Sequence, residues 1–327
     1  MAPAEPRPDL SIVIVNYNTR DYLQECLHSI YEHPPRLSFE VFVVDNHSSD
    51  GSCQMVRECF PQVKTVAFER NLGYVKANNH AIRDSAGRFL LLLNSDTRMR
   101  SGSLDALVDF MRERPDAGIV GCKQVDMHDR LQLTWGKFPS LKNEIIRKAM
   151  HQRLVVNGST VRDYLSQKYQ ETCDVDWVAG SCMMVRREVC REVGLMDENI
   201  FMYFEDIDWC HRVKKADWRI YYTPRIEFVH HGGASSDRNK IDALVEYRKS
   251  QFYFTRKYFG RPSVILLKVL MGIKSVAGGM AWGVRYMLAP MGSKKRHDAL
   301  CMLLIFKRTL GLVLSEVRRP NGSVEDN

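Results

Sequence analysis

The chain has 327 residues, 45% of them hydrophobic and 26% charged, and carries a formal net charge of +8. That composition is ordinary for a globular protein with one large core or two smaller ones. Its nine cysteines lack CxxC pairs and regular spacing, which argues against a disulfide framework or a zinc site and for reduced thiols in a cytoplasmic setting.

The start, MAPAEPRPDL, has no apolar stretch behind a basic one, so no signal peptide is expected. No internal repeat or low-complexity tract is present. The charge is uneven: residues 238–327 hold 17 Lys+Arg against 6 Asp+Glu, whereas residues 1–237 hold 30 against 33. A near-neutral body therefore carries a basic tail.

Residues 10–15, LSIVIV, form a short apolar, β-branched run that predicts a buried strand. It ends at Asn16, Tyr17, Asn18 and Thr19. Leu23, Leu27 and Ile30 then recur at helical spacing up to Pro34-Pro35. A second strand, 39–44, closes on Asp45 and Asn46, and a polar loop leads to a helix carrying Met55, Val56 and Cys59. The third strand, 63–68, is followed by Arg70-Asn71-Leu72-Gly73-Tyr74 and a helix over 75–85.

Residues 89–93, FLLLL, are an unbroken apolar run, as in a strand buried on both faces. The run stops at Asn94-Ser95-Asp96. Strand and helix alternate with short loops, which predicts an α/β fold with a mostly parallel central sheet flanked by helices. In such sheets ligands bind beyond the carboxyl ends of the strands. Asn16, Tyr17, Asp45, Asn46, Asn71, Asn94 and Asp96 all fall at such ends. A carboxylate beside a carboxamide there suits Mg²⁺ or Mn²⁺ shared with a nucleotide. The first loop reads NYNTRD, without the glycines of a dinucleotide-binding turn, and no P-loop is present.

A helix over 101–114 and a strand over 117–122 follow. Residues 123–174 show little periodicity and read as a variable insertion on the acceptor side. Trp177 to Val185 then frames the small residues Ala179, Gly180 and Ser181, which allow close approach of a ligand or of backbone. An aromatic stretch runs into Glu205, Asp206 and Asp208. On a helix starting near Glu205, Asp208 pairs with Arg212 four residues on. Asp206 points elsewhere, beside apolar residues that favour a raised pKa. Residues 218–222 and 225–229 predict two strands, the second reaching His230-His231-Gly232-Gly233.

These pieces resemble family 2 glycosyltransferases of the GT-A fold, and within them the rhamnosyltransferase-like branch of bacterial polysaccharide biosynthesis, including O-antigen. The resemblance rests on SIVIVNYN (11–18), VVDNHSSDGS (43–52), RNLGYVKANNHAI (70–82), LLLNSDT (91–97), DWVAGSCMMVRR (176–187), FMYFEDIDWCHR (201–212) and HHGGASS (230–236), in family order. It implies that Tyr17 and Asp45 hold a base, that Asn16, Asn71, Gly73, Asn94 and Asp96 line the nucleotide, and that Asp96 and His230 hold a divalent cation. Asp206 becomes the catalytic base, with Trp177, Gly180, Ser181 and Glu205 around the sugar or acceptor. The usual Asp-x-Asp metal signature reads Asn94-Ser95-Asp96 here.

The implied organisation is a catalytic domain over 1–237, with a donor half at 10–122 and an acceptor half at 123–237, and a basic, amphipathic helical region over 238–327. The implied reaction is inverting transfer of a sugar such as rhamnose from a nucleoside diphosphate to a polyprenyl-pyrophosphate-linked or glycan acceptor. In the tail, apolar runs at 264–289 and 299–317 are interrupted or flanked by cations, which suits helices lying on the inner face of a membrane. The alternative there is a helical appendix, packed on the catalytic domain or at a homodimer interface. No nucleic-acid partner is expected. The alternative for the whole chain is an inactive nucleotide-sugar-binding or membrane scaffold protein.

Overall fold

The structure, a computed structural model, describes residues 7–139, 169–232 and 240–315. Residues 140–168 of the variable insertion and 233–236 of the HHGGASS motif lie outside the described residues. The chain divides into two compact units: residues 1–197 with 205–235, and residues 198–204 with 236–327. The short segment 198–204 thus groups with the tail.

In the first unit, β1 (Leu10–Asn16), β2 (Phe39–Asp45), β3 (Lys64–Ala67) and β4 (Phe89–Asn94) alternate with α1 (Arg20–Glu32), α2 (Ser52–Cys59) and α3 (Tyr74–Asp84). β4 leads to β5 (Thr97–Met99), α4 (Ser103–Glu113) and β6 (Ala117–Val125). The short strands β7 (Leu131–Gln132), β8 (Trp135–Gly136), β9 (Cys173–Asp174) and β10 (Trp177–Val178) follow. The unit ends with β11 (Cys182–Arg186), α5 (Arg187–Val193), α6 (Glu205–Lys215) and β12 (Arg219–His230). Among the described residues the main sheet has ten strands: eight on the path β3-β2-β1-β4-β11-β6-β12-β5, with β7 paired to β6 and β9 to β12.

The pairs β1–β2, β1–β4, β2–β3 and β6–β12 are parallel, whereas β11 runs antiparallel between β4 and β6. β4 is central because its side chains are apolar on both faces, and all of Phe89 to Leu93 are buried. On α1, Leu23, Cys26, Leu27 and Ile30 form the buried stripe against the sheet.

The Arg186-Arg187 pair closes the two halves of the core. Buried Arg186 donates to the carbonyls of Met111, Ala117 and Arg114 at 2.6–3.0 Å, satisfying the open end of α4. Arg187 does the same for α3 through the carbonyls of Ile82 and Gly87.

Two local readings differ from the sequence expectation. The strands read at 218–222 and 225–229 are one strand, β12, which crosses Pro224 by shifting register between Thr223 and Glu227. The three residues after Asp96 form β5, antiparallel to the end of β12.

In the second unit, α7 (Lys240–Leu288) breaks at Gly260, whose φ of 77° and ψ of 177° no ordinary side chain tolerates. Phe252, before the break, packs with Leu267 and Met271 after it and with Leu312 and Val313 of α8 (Lys294–Leu314). Phe204 packs against Tyr247 and Phe254, and Ser250 Oγ donates to the Met202 carbonyl, so α7 holds segment 198–204.

Candidate active site

The apolar strands of the first unit all end in polar residues on one edge, and hydrogen bonds link those ends. Asn16 is fully buried. Its Nδ2 donates to Asp45 Oδ2 at 2.9 Å and to Ser48 Oγ at 3.0 Å, and its Oδ1 accepts from Thr19 Oγ1 at 2.7 Å. The Ser48 amide donates to Asp45 Oδ1 at 2.8 Å. Both amide protons and the carbonyl of Asn16 are engaged within the protein, so it holds the Asp45 carboxylate in place. Tyr17, the next residue, is 38% exposed.

The second loop repeats the device. Asn46 donates to Asn71 Oδ1 at 2.8 Å and accepts from the Leu72 amide at 2.8 Å, while the Gly73 amide donates to Asn71 Oδ1 at 2.9 Å. Gly73 sits at φ 88°, which only glycine adopts freely, and the chain turns there into α3. Thr19 Oγ1 lies 2.7 Å from Ser95 Oγ and so ties the first loop to Asn94-Ser95-Asp96.

Antiparallel pairing of β5 with β12 sets Thr97 opposite His230 and so brings His230 to Asp96. The His230 Nε2 to Asp96 Oδ1 distance is 3.3 Å, and Asn94 Nδ2 lies 3.4 Å from the same nitrogen. The His231 amide donates to the Asp96 carbonyl at 2.9 Å. An imidazole nitrogen and a carboxylate facing one another form a donor pair that fits Mg²⁺ or Mn²⁺, with the Asn94 amide beside them. Among the described residues no group of three or more His, Cys, Asp and Glu converges. A two-residue grip of this kind suits a cation that arrives with phosphate oxygens as its other ligands.

The acids at the start of α6 lie beside the start of β11. Asp206 Oδ2 accepts from the Gly180 amide at 3.2 Å, and Oδ1 accepts from the Ile207 amide at 2.8 Å. Tyr74 donates to the Gly180 carbonyl at 3.1 Å, so Gly180 is held between Tyr74 and Asp206. The Asn94 amide donates to the Ser181 carbonyl at 3.0 Å, and Ser181 Oγ donates to Gln124 Oε1 at 2.8 Å. Residues 180–181 are therefore the link between the acids and the Asp96–His230 pair. Trp177 packs its ring over Gly136 and donates to the Lys137 carbonyl at 3.0 Å, holding the small β8–β10 sheet together. Asp208, fully buried, pairs with Arg212 at 3.0 Å as the spacing predicts.

Glu205 and Asp206 differ in their surroundings. Glu205 is 7% exposed and its Oε2 has no hydrogen-bond partner. Burial, and then the neighbouring Asp206 charge, push its carboxyl well above the usual carboxylate range. Burial also raises Asp206, but the Gly180 and Ile207 amides oppose that shift. Glu205 is therefore raised further than Asp206, and of the pair Asp206 is the acid that ionises first.

A raised carboxyl stabilises the fold below its unfolded pKa, and that stability is lost as pH rises through the folded value. Glu205→Gln removes this loss. The variant is expected to melt with wild type near pH 4 and about 2–4 °C higher at pH 8, on the order of 1 kcal/mol. Thermal melts at both pH values check it, and a pH-independent difference would contradict the assignment.

Four contributors escaped the sequence reading: Gln132, Tyr74, Ser48 and Thr19. Tyr74 belongs to the RNLGY run and Ser48 to the NHSSDG loop, so position alone pointed to them. Gln132 lies in the stretch without periodicity, which gave no signal.

Comparison with known proteins adds four matches. The profile described as "Glycosyl transferase family 2" matches residues 11–194. The N-acetylglucosaminyl-diphospho-decaprenol L-rhamnosyltransferase of Mycobacterium tuberculosis is 32% identical over 262 residues, 75% of this chain and 83% of that protein. The rhamnosyltransferase WbbL of Escherichia coli is 27% identical over 259 residues, 75% and 92% of the two chains. Among solved structures, a mannosyltransferase of Pyrobaculum calidifontis, in complex with GDP-Man and Mn²⁺, superposes with a TM-score of 0.52 at 18% identity. That match covers 95% of this chain and 88% of the other, and it bears on the fold alone.

Proposed function

The chain belongs to glycosyl transferase family 2 and has the GT-A fold, and on that premise we propose that it is an inverting, metal-dependent sugar transferase of cell-surface polysaccharide synthesis. Its donor is a nucleoside diphosphate sugar, with rhamnose the leading candidate, and its acceptor a polyprenyl-diphosphate-linked saccharide or a glycan. The activities for which these relatives are named support the sugar and the lipid-linked acceptor. The observation that carries the reading is the link from the Asp96–His230 pair through Asn94, Ser181 and Gly180 to Asp206.

Each residue then has a task. The exposed Tyr17 ring stacks on the base, and Asp45, fixed by Asn16 and Ser48, accepts a hydrogen bond from it. Asn71 and Gly73 shape the loop against the nucleoside. Asp96 and His230 would hold the cation, which would supply neutralising charge to the departing diphosphate. Asp206 takes the proton from the acceptor hydroxyl as its oxygen bonds to the anomeric carbon and the bond to the diphosphate breaks, with inversion. Protonated Glu205 supplies a hydrogen-bond donor beside it. One carboxylate base suffices, unlike the paired acids of most glycosidases. Calorimetric titration with a panel of UDP-, GDP- and dTDP-sugars, with and without Mn²⁺, tests the reading. Metal-stimulated binding of one donor is expected, and binding of none by folded protein would overturn it.

The basic C-terminal unit supplies the cytoplasmic, peripheral attachment to the inner membrane that such an acceptor requires. After Gly260, α7 buries a stripe through Val264, Leu267, Met271 and Ser275. Its opposite face is apolar and exposed, with Ile273 and Met280 64% and Met287 73% exposed. By length and composition this helix passes as a membrane span. Lys268, Lys274 and Arg285 leave no uncharged run near the roughly 20 residues a span needs. An interfacial placement puts the apolar face among acyl chains and Lys294 and Lys295 against anionic headgroups. Ile273→Glu with Met280→Glu is expected to cut sedimentation with phosphatidylglycerol vesicles at least about tenfold. Unchanged vesicle binding, or a dimer dissociated by the same changes, would move the face to the homodimer alternative.

A further inference from the structure

We propose that Gln132 is a positioning residue that fixes the tautomer of His230 and aims its Nε2 lone pair at the cation site, an inference that rests on the metal-dependent reading above. Gln132 closes the two-residue strand β7, whose register on β6 sets it opposite Gln124. From there both ends of its amide reach one residue. Gln132 Nε2 donates to the His230 carbonyl oxygen at 2.8 Å. Only the NH₂ end can make that bond, so Oε1 must face the ring. His230 Nδ1 lies 2.7 Å from that oxygen and is therefore the donor.

A proton held on Nδ1 leaves Nε2 with its lone pair, 3.3 Å from Asp96 Oδ1. The nitrogen remote from the cation is thus anchored, and the ring is oriented before the cation arrives. Gly232 sits beside the clamp at φ 73°, in the left-handed region that favours glycine, and a Cβ there would make only ordinary contact with Gln132 Nε2 and the His230 ring. The clamp assigns part of the 123–174 stretch to the donor side, although the sequence placed that stretch with the acceptor. A polar partner of this kind fixes the ligand's tautomer and raises its basicity, and its loss typically weakens metal affinity about 10–100-fold.

The test is an electron paramagnetic resonance titration of Mn²⁺ into the full chain, with whichever of UDP, GDP and dTDP gives the tightest wild-type binding. Gln132→Met removes both hydrogen bonds at similar volume, and Gln132→Ala is carried beside it in case the first variant does not fold. Either is expected to raise the Mn²⁺ Kd about 10–100-fold with the melting temperature kept within a few degrees. Gln132→Glu keeps the acceptor for Nδ1 and is expected to bind Mn²⁺ within about threefold of wild type. That rescue is the readout a merely structural role would not give. Wild-type affinity in Gln132→Met, with weakened binding in His230→Ala, would overturn the proposal and leave the metal-dependent reading standing. Equal losses in Gln132→Glu and Gln132→Met would also overturn it. Absence of Mn²⁺ binding in wild type would remove both the proposal and the reading beneath it.

Discussion

Asp206→Asn is expected to lower turnover by about 10²–10⁴-fold, the range for loss of a general base, while leaving the Kd of the donor within about threefold. The substitution is nearly isosteric. Its carbonyl oxygen can still accept from the Gly180 amide, the bond that joins α6 to the start of β11, at the expense of the bond from the Ile207 amide. What disappears is the proton acceptor. A loss of donor binding of the same size would mean that Asp206 is a binding residue and that the base lies elsewhere. The pH profile separates the cases further. Burial raises Asp206, so the acid limb of kcat is expected above the ordinary carboxylate range. Glu205→Gln removes the neighbouring carboxyl and is expected to keep most of the activity, because protonated Glu205 already behaves as a neutral donor.

Asp96→Ala is expected to abolish the Mn²⁺ stimulation of donor binding and to cost at least about 10²-fold in turnover, as for loss of one electrostatic partner of a developing charge. Asp96 supplies the only carboxylate facing His230 Nε2 among the described contacts of that nitrogen. With a neutral Asn94 in the first position of the motif, no second acid among the described residues converges there with it. Titration of donor against Mn²⁺ checks this. A variant that still binds donor more tightly with Mn²⁺ would place the cation on other groups.

The donor half was legible because each strand is a pure apolar run that ends abruptly in polar residues. The alternation of strand and helix then allows only a parallel sheet with those ends on one edge. The identities of Asp96, Asp206 and His230 could be read for the same reason: each ends or begins an element. What each side chain does at the edge was less legible. Asn16 reads as a ligand, yet three internal hydrogen bonds make it the support of Asp45. Nothing in a linear pattern tells a saturated amide from one that can bind. Asn46, which the sequence places along the same edge, performs the same service for Asn71.

The acceptor half was harder because its contacts join residues far apart along the chain. β11 enters the sheet antiparallel between β4 and β6, so Ser181, just before it, arrives beside Asn94 and Gln124. The continuity of β12 across Pro224 depends on a shift in register that a proline in sequence argues against. Gln132 meets His230 only because β7 and β12 both flank β6. Segment 198–204 looked like a lead-in to α6, but aromatic packing onto α7 makes it part of the tail unit. In each case pairing across the sheet or packing between distant segments decides the outcome, and neither has a local signature.

The most direct test of the central claim is transfer itself: wild type and Asp206→Asn incubated with Mn²⁺, radiolabelled dTDP-rhamnose and an N-acetylglucosaminyl-diphospho-polyprenol acceptor in vesicles, with lipid-extractable label counted. Acceptor-dependent label in the lipid phase with wild type, absent with Asp206→Asn and absent without Mn²⁺, is the expected result. Equal label from both proteins, or none with any nucleotide sugar that wild type binds, would contradict it.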